Sequence, residues 1–169
     1  IYEALKALKT SFELVIVDDG SRDATPALAQ KLASLHNEIR HQRYETGPSR
    51  RENLGKAFRT AKAEVILFMD LDLSVPLSFI PQLLEGISAG NDITIGSRYA
   101  KKQSGEQTLK RTLTRFLISK LYNFFMRLYF GSKIQDHQCG FKAFKREALF
   151  SLLDDMSYDE KFVRGWFWD

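Results

Sequence analysis

The stretch EVILFMDLD, residues 64–72, decides how this chain folds. Its first part, Glu64–Met69, is an apolar run that contains β-branched side chains. The run ends abruptly in an acidic pair, Asp70 and Asp72, whose members are separated by one leucine. This pattern is typical of a parallel strand that is buried on both faces and carries carboxylates at its carboxyl end.

The same pattern occurs earlier in the chain, where the apolar run Phe12–Val17 ends in Asp18 and Asp19. Thr25 followed by Pro26 predicts the N-cap and the first residue of a helix. Apolar spacing and turn signals predict helices over 1–9, 25–35, 50–61, 109–129 and 146–153, another helix ending near 88, and strands over 41–44, 93–95 and 141–144.

Strands that alternate with helices in this way predict an α/β, Rossmann-like fold, in which a mainly parallel sheet is covered by helices on both faces. In such sheets a ligand lies beyond the carboxyl ends of the strands. The acids of both clusters and Arg98 are expected on that edge. A length of 169 residues and an apolar content of 44% fit a single globular domain.

The charge is unevenly distributed, although the totals of 25 Lys and Arg against 21 Asp and Glu are close. Basic residues dominate the segment 101–133, where only Glu106 opposes them. Such a segment suits phosphates, anionic lipid or nucleic acid, or is simply a solvated helix face. Cys139 is the only cysteine, which excludes an intramolecular disulfide. The first and last residues, Ile1 and Asp169, lead us to expect a domain truncated at both ends.

Asp70 and Asp72 are candidate metal ligands. In an extended segment, residues i and i+2 point to the same side, so both carboxylates can face one point. Mg²⁺ or Mn²⁺ prefers oxygen ligands, commonly one or two carboxylates together with the phosphates of a substrate. The alternative is a solvated turn after the strand.

Asp18 and Asp19 are candidate nucleotide-binding residues, because a carboxylate at this edge can accept hydrogen bonds from a ribose hydroxyl or a base N–H. The alternative is a turn leading into the helix, in which the acids and Ser21 satisfy unpaired N–H groups. Lys56 lies near the predicted start of a helix and could approach a phosphate. Its alternative is an ordinary surface lysine.

The segment DHQCGFK, residues 136–142, places several reactive side chains close together. His137 and Cys139 could bind a metal, but they are only two soft ligands. They could also form a nucleophile pair, but residues i and i+2 in a turn rarely align for proton transfer. The favoured interpretation is that Asp136 and Gln138 reach into the ligand cleft.

Five motifs in this order resemble the family 2 glycosyltransferases, and within them the polyprenyl-phosphate hexosyltransferases, the dolichyl-phosphate glucosyltransferase and mannosyltransferase group. The motifs are VDDGS at 17–21, DLDLS at 70–74, GSRY at 96–99, DHQCGFK at 136–142 and RGWFWD at 164–169. The resemblance covers nearly the whole chain, from Phe12 to Asp169.

The resemblance implies a GT-A fold, a nucleotide-diphosphate-sugar donor and a divalent cation, Mg²⁺ or Mn²⁺. By position it assigns the following roles: Asp18 and Asp19 meet the nucleoside, Asp70 lies by the ribose and diphosphate, Asp72 binds metal, Arg98 and Arg115 hold the phosphate of a lipid acceptor, and Asp136 and Gln138 lie beside the transferred sugar. Asp72, Asp136 and Arg98 are thus the expected catalytic set, with Asp70 as a second candidate for the metal.

The sequence departs from the family pattern in two places. The family's first strand, with its nucleotide motif, is missing, so we expect part of the base pocket to be absent. Leu73 and Ser74 replace the more usual polar companion of the second acid, which leaves the third metal ligand open. The form of the 136–142 motif resembles the glucosyltransferase-like members, which makes UDP-glucose the favoured donor.

We therefore expect a metal-dependent, inverting transfer of a hexose, glucose by preference, to a polyprenyl phosphate in cell-envelope or glycan biosynthesis. The amphipathic helix over 109–129 is expected at the cytoplasmic face of a membrane, with an ordinary packed helix as the alternative. The rivals are a family 2 enzyme acting on a polysaccharide or another glycan, a nucleotidyltransferase, and a non-catalytic nucleic-acid or membrane-binding module. No nucleic-acid partner is expected, and the oligomeric state stays open.

Overall fold

The structure is a computed structural model that describes residues 1–47, 49, 52–73, 75–97 and 113–155, with the backbone alone for 113–116. In these ranges helices and strands alternate along the chain. The helices are α1 (Tyr2–Ala7), α2 (Thr25–Leu35), α3 (Glu52–Arg59), α4 (Ile80–Ser88), α5 (Leu113–Phe130) and α6 (Arg146–Asp155). The strands are β1 (Leu14–Asp18), β2 (Ile39–Arg43), β3 (Val65–Met69), β4 (Ile93–Ile95) and β5 (Phe141–Lys145), and a 3₁₀ turn, Leu77–Phe79, precedes α4.

The start of α2 differs in one detail from the sequence-based prediction. Ala24, not Thr25, occupies the N-cap position, and no side chain of that residue caps the helix. Instead the carboxylate of Asp23 accepts a hydrogen bond from the Thr25 N–H at 2.9 Å. Asp23 therefore satisfies one of the amide groups that a helix start leaves unpaired.

The chain divides into two compact units. Unit 1 contains the described residues of 1–66 and of 144–168, and unit 2 those of 67–143. In unit 1, β1 and β2 pair in parallel, from Leu14 opposite Ile39 to Asp18 opposite Arg43. The buried apolar residues of unit 1 are Ala29, Ile39, Ala57, Phe58, Ile66, Phe144, Leu149 and Leu153. Those of unit 2 are Val75, Ile80, Leu83, Ile87, Cys139, Phe141 and Ala143.

A second sheet has the strand order β3-β5-β4. At one end of β3 the Asp70 N–H donates to the Gly140 carbonyl at 2.9 Å, and before its other end the Glu64 carbonyl accepts from the Arg146 N–H at 2.8 Å. Because the numbers fall along β5 as they rise along β3, these two strands are antiparallel. The end of β3 consequently lies beside the start of β5, and Asp70 lies next to Gly140.

Candidate functional site

Asp18 is the last residue of β1 and lies inside unit 1. Its side chain is inaccessible to solvent, and its Oδ1 accepts a hydrogen bond from the Ser21 N–H at 2.8 Å. The parallel register places Arg43 opposite it, and the Arg43 Nη1 donates to the Asp18 Oδ2 at 3.3 Å. The ring nitrogen Nε2 of His41, whose side chain is 7% exposed, lies 3.5 Å from the same oxygen. The carboxylate is thus surrounded by donors from its own protein.

These contacts keep the Asp18 carboxylate charged in spite of its burial. Burial by itself raises the pKa of a carboxyl group, but the hydrogen bonds from Ser21, the charge of Arg43 and the contact with His41 outweigh it and lower the pKa of Asp18. A direct contact between Asp18 and a nucleoside stays a prediction. The observed geometry favours an indirect role, in which Asp18 holds Ser21, His41 and Arg43 in place.

Asp19 is held by the segment that leads into α3. Its Oδ2 accepts from the Ser49 N–H at 2.7 Å, and its Oδ1 accepts from the Ser49 hydroxyl at 3.0 Å and from the Asn53 Nδ2 at 2.6 Å. Ser49 in turn accepts from the Asn53 N–H at 3.2 Å, so it also satisfies an amide in the first turn of α3. Asp19 is half-buried, and part of its surface is open to a ligand.

Gly47 allows this segment to approach Asp19 closely. A Cβ atom at Gly47 would overlap the backbone carbonyl of Asp19, and a Cβ at Gly20 would lie 3.0 Å from the Gly47 Cα. Only glycines permit two backbone segments to meet at this distance. The acidic cluster of unit 1 is therefore the point at which the turn after β1 is attached to the loop before α3.

Asp70 and Asp72, in unit 2, have a different environment. Both residues are exposed, and the Leu73 N–H donates to the Asp70 carbonyl at 3.3 Å, which closes a turn over 70–73. The assumption of an extended segment behind the predicted metal pair is therefore wrong, because Asp70 and Asp72 occupy the first and third positions of a turn. Leu73 has a φ of 50°, an uncommon value for a residue with a side chain.

The carboxylate of Asp70 lies over Gly140. A Cβ atom at Gly140 would overlap this carboxylate, and the Asp70 N–H donates to the Gly140 carbonyl at 2.9 Å. The backbone and the side chain of Asp70 are thus both placed against a single residue of the 136–142 motif. The absence of a side chain at position 140 leaves the space that the carboxylate occupies.

The exposed pair fits a hard divalent cation that is completed by a substrate. In the part of the chain that the structure describes, no three His, Cys, Asp or Glu residues are grouped so that they could hold a metal by themselves. This arrangement does not fit a closed zinc site, which needs four protein ligands. It fits Mg²⁺ or Mn²⁺, which use one or two carboxylates together with phosphate oxygens and water.

Asp136 and Gln138 lie in a tight turn before β5. The Cys139 N–H donates to the Asp136 carbonyl at 3.2 Å, so that His137 and Gln138 form the centre of the turn. Asp136 is only 1% exposed and Cys139 is fully buried, whereas Gln138 is half-buried. In this arrangement Gln138 is the more accessible of the two predicted sugar contacts, and contact of the sugar with either one stays a prediction.

His137 is attached to α5 and to the loop that follows it. The Asn123 Oδ1 accepts from the His137 N–H at 2.9 Å and lies 2.7 Å from the His137 Nδ1. On the other side of the ring, the Ser132 hydroxyl lies 2.9 Å from Nε2 and accepts from the Ile134 N–H at 3.2 Å. We call Asn123, His137 and Ser132 the histidine clamp.

The surroundings of His137 favour its neutral form. Burial is the main cause that lowers its pKa, the positive charges of Lys142 and Arg127 act in the same direction, and the negative charge of Asp136 opposes them. Both ring nitrogens have polar protein neighbours, and Cys139 is buried in the core of unit 2. These observations do not favour the two minor interpretations of the motif, a metal site or a Cys–His nucleophile pair.

Helix α5 buries polar residues and exposes apolar ones. Ser119 and Asn123 are buried, while Leu128 is 70% and Tyr129 83% exposed. The α5 apolar face consists of exposed residues on this helix: Leu117, Ile118, Leu121, Tyr122, Phe124, Phe125, Leu128, Tyr129 and Phe130. This inversion is unusual for a helix at a water-exposed surface. Within the described ranges, no helix is both long enough and apolar enough to cross a bilayer.

A groove of about 650 Å³ runs along α5 and combines apolar walls with two cationic side chains. It is lined by Leu117, Lys120, Leu121, Asn123, Phe124, Arg127 and Gln135. Lys120 and Arg127 are both exposed. The chemistry of this lining suits a ligand that has an anionic head and an apolar chain.

The structure does not test the roles predicted for Arg98, Arg115 and Lys56. Arg98 lies outside the described residues, and of Arg115 only the backbone, in α5, is described. Lys56 is exposed in the last turn of α3, so the prediction that it lies near the start of the helix is wrong. Their roles stay predictions.

Several residues that shape the two acidic clusters were not predicted from the sequence. In unit 1 they are His41, Arg43, Ser49 and Asn53, and in unit 2 they are Asn123, Ser132 and Gly140. One signal was available for Asn123, because an asparagine among the apolar residues of a long helix needs a hydrogen-bonding partner when it is buried. The others depend on which strands and loops become neighbours.

Comparison with known proteins places the chain in a family. A family model described as "Glycosyl transferase family 2" matches residues 1–152. The chain is similar to the glycosyltransferase AglD of Haloferax volcanii, with 34% identity over 94% of this chain and 24% of that protein. It is similar to a dolichol-phosphate mannosyltransferase of Pyrococcus furiosus, with 36% identity over 88% of this chain and 41% of that protein.

A third relative is the polyprenol monophosphomannose synthase of Mycolicibacterium smegmatis, which is 32% identical over 88% of this chain and 56% of its own length. The chain thus spans between about a quarter and just over half of the length of these relatives. The α/β elements, with acids after β1 and β3, agree with the GT-A fold that the family implies. The chain belongs to glycosyl transferase family 2.

Proposed function

We propose that this chain transfers a hexose from a nucleotide-diphosphate sugar to a polyprenyl phosphate at the surface of a membrane. The observation that carries the proposal is the similarity over 88% of the chain to two proteins named for making dolichol-phosphate or polyprenol-phosphate mannose. The family model, which matches residues 1–152, includes both acidic clusters and the 136–142 motif. The names of the two relatives favour a lipid phosphate over a polysaccharide or another glycan as the acceptor.

In unit 1 the turn after β1 would hold the nucleotide. Asp19 is half-buried, and Asp18 keeps Arg43 and His41 at the end of β2. A carboxylate that accepts hydrogen bonds from protein donors on one side can accept a further hydrogen bond, from a ribose hydroxyl or a base N–H, on the other. Lys56 is the residue of α3 that would approach a phosphate.

In unit 2 the turn over 70–73 would hold the diphosphate end of the donor. Asp72 and Asp70 are exposed carboxylates on one turn, and they would bind a divalent cation together with the phosphate oxygens. When bound, such a cation neutralises the charge that develops on the departing diphosphate. Asp136 and Gln138 would orient the sugar.

The proposed reaction is a single displacement. An oxygen of the acceptor phosphate attacks the anomeric carbon of the sugar, the bond from that carbon to the diphosphate breaks, and a nucleoside diphosphate leaves with inversion. The acceptor oxygen is already anionic, so the protein need not supply a strong general base. Its task is to position the two substrates and to offset their negative charge, with Arg98 and Arg115 proposed at the acceptor phosphate.

The α5 apolar face supports a lipid acceptor. Its aromatic and leucine side chains, with Lys120 and Arg127 beside them, match a helix that lies in the headgroup region of an anionic bilayer. Reversal of one cationic charge, Arg127→Glu, should weaken binding to vesicles with anionic headgroups by more than about fivefold, since loss of one basic residue alone removes about 1 kcal/mol. The matched control is Lys31→Glu on α2, which should leave vesicle binding unchanged.

Glucose is our preferred sugar, although two of the relatives are named for mannose. The test is a transfer assay on the purified protein, with UDP-glucose or GDP-mannose as donor, a short polyprenyl phosphate as acceptor, and Mg²⁺, Mn²⁺ or EDTA. We expect a phosphate-linked lipid product from UDP-glucose that is lost with EDTA. Product from GDP-mannose but not from UDP-glucose would show that the transferred sugar is mannose. Product on a soluble glycan without lipid would favour a family 2 enzyme that acts on a polysaccharide or another glycan.

A further inference from the structure

We propose that Asn123 and His137 are positioning residues, which hold the turn 136–139 and the Asp70 carboxylate in the geometry needed for transfer. This inference rests on the proposed function for its effect on turnover. Neither residue needs to touch a substrate. Their contacts instead connect α5 to the two acidic positions of unit 2.

The first connection is between α5 and the turn. The Asn123 Oδ1 accepts a hydrogen bond from the His137 N–H at 2.9 Å and lies 2.7 Å from the His137 Nδ1. Asn123 is 5% exposed, so these groups have little access to water as substitute partners. A buried donor that loses its acceptor costs free energy, and the segment would move to regain a partner. Asn123 therefore fixes the backbone position of His137 at the centre of the turn.

The second connection is between the turn and Asp70. The Cys139 N–H donates to the Asp136 carbonyl and closes the turn. The carbonyl of the next residue, Gly140, accepts a hydrogen bond from the Asp70 N–H, and Gly140 lies under the Asp70 carboxylate. A displacement of the turn would therefore move both the predicted sugar contacts and Asp70. Asp72 follows in the same exposed turn over 70–73.

The hydrogen-bond pattern also defines the tautomer of His137. The Asn123 Nδ2 donates to the Ser119 carbonyl at 2.8 Å, so its Oδ1 faces His137, and an amide oxygen can only accept. The proton of the neutral ring must then reside on Nδ1. The Ser132 hydroxyl accepts from Ile134 and is left to donate its own proton to Nε2. The clamp is fully satisfied in this one arrangement.

The first experiment tests the clamp without any assay of activity. The protein contains three histidines, so the imidazole ¹⁵N signals of a ¹⁵N-histidine-labelled sample can be assigned by substitution. We expect His137 in the Nδ1–H form, and in Asn123→Ala we expect that form to be lost. Amide hydrogen exchange at Cys139 and Asp70 should become at least about tenfold faster in the same variant, because both hydrogen bonds depend on the turn.

The second experiment tests the consequence for turnover. Asn123→Ala should lower kcat by about 10- to 100-fold and change the donor KM by less than about threefold, because misplacement of reacting groups affects the transition state more than binding. The matched control is Asn91→Ala. The Asn91 side chain makes a similar bond, from Nδ2 to the Gly86 carbonyl at 2.8 Å, but is exposed at the end of α4.

A pair of substitutions at His137 protects the test against simple misfolding. His137→Asn can place an amide N–H close to the position of Nδ1, whereas His137→Gln reaches only the position of Nε2. The two variants have similar size and polarity. We expect His137→Asn to keep at least about ten times more of the wild-type kcat than His137→Gln does.

The outcomes separate this inference from the proposed function. An Nε2–H tautomer in the wild-type protein, or an unchanged kcat in Asn123→Ala, overturns the positioning role. Equal activity of the two His137 variants overturns it as well. A wild-type protein that transfers no sugar refutes the proposed function, and the tautomer and exchange measurements then still decide whether the clamp holds the turn and Asp70.

Discussion

The two acidic clusters follow strands of similar sequence, yet their carboxylates differ in surroundings. Asp18 is inaccessible, and Asp19 accepts hydrogen bonds from both Ser49 and Asn53. Asp70 and Asp72 are exposed on a turn. The first cluster is mainly a structural connection between loops, and only its Asp19 has surface for a ligand. The second has exposed acidic residues, which the proposed binding of a cation and a diphosphate would require.

This difference shows that a strand ending in two acids does not by itself identify a metal site. The register of β1 and β2 places Arg43 and His41 at the first cluster, and protein donors satisfy it. In unit 2, the missing side chain of Gly140 leaves room for the Asp70 carboxylate, and Asp70 is exposed. The comparison implies that substitutions in the first cluster should mainly lower stability, and substitutions in the second should mainly lower activity.

The largest effect should follow from loss of the Asp72 charge. Asp72→Asn should reduce metal-dependent transfer by about 100-fold or more, because a bound cation stabilises the departing diphosphate by several kcal/mol. The measurement is initial rate against Mn²⁺ concentration, with Asp23→Asn as the control aspartate. Full metal-dependent activity in Asp72→Asn would show that Asp72 is not a metal ligand.

A smaller effect, on stability, is expected in the first cluster. Asp19→Asn replaces one acceptor oxygen by the NH2 of an amide, which can only donate and would face other donors. The free energy of unfolding should therefore fall by about 1–3 kcal/mol. Urea unfolding measures the change. The matched control is Asp154→Asn, because Asp154 pairs with Arg59 in an exposed ion pair, which contributes about 0–1 kcal/mol. Equal stability losses in the two variants would contradict a structural role for Asp19.

Two glycines allow the comparison to be tested with the same substitution. Gly140→Ala should reduce transfer about tenfold with a stability loss of about 1 kcal/mol or less, since the exposed Asp70 side chain can swing away from the new methyl group. Gly47→Ala meets the backbone carbonyl of Asp19, which cannot swing away, and should cost about 2 kcal/mol or more. Thermal unfolding and transfer rates should show that Gly140→Ala loses mainly activity and Gly47→Ala mainly stability. Equal losses of activity and stability in the two variants would contradict the distinction between the clusters.

The smallest expected effect is on the pH dependence of stability. The pKa of His137 is lowered in the folded state, so the folded state binds fewer protons than the unfolded state once the pH falls to about 6.5. The free energy of unfolding therefore decreases as the pH falls from about 6.5 toward the lowered pKa. The lowered pKa of Asp18 acts in the same direction, but only below about pH 4. His137→Asn should therefore flatten the loss of stability between about pH 7 and 5.5, whereas Asp18→Asn should not. Urea unfolding at several pH values measures both slopes, and a steeper slope in His137→Asn would contradict the assignment.

Much of the fold could be predicted because local pattern and secondary structure are directly linked. The apolar runs before Asp18 and Asp70 became β1 and β3, and α2 covers the predicted range Thr25–Leu35. The direction of β5 could not be predicted, because periodicity indicates a strand without indicating its neighbour. The turn at Asp70 was missed because a leucine with positive φ carries no sequence signal for a turn.

By itself the sequence determined the family, the alternation of elements and the candidate acids, since these depend on residue order and local spacing. Only the tertiary structure decided which carboxylates are open. The burial of Asp18 depends on the register with β2, and the position of Asp70 depends on the approach of Gly140. The histidine clamp likewise joins Asn123 to a residue 14 positions away. Hydrogen bonding and burial depend on distances between segments, and local composition does not specify those distances.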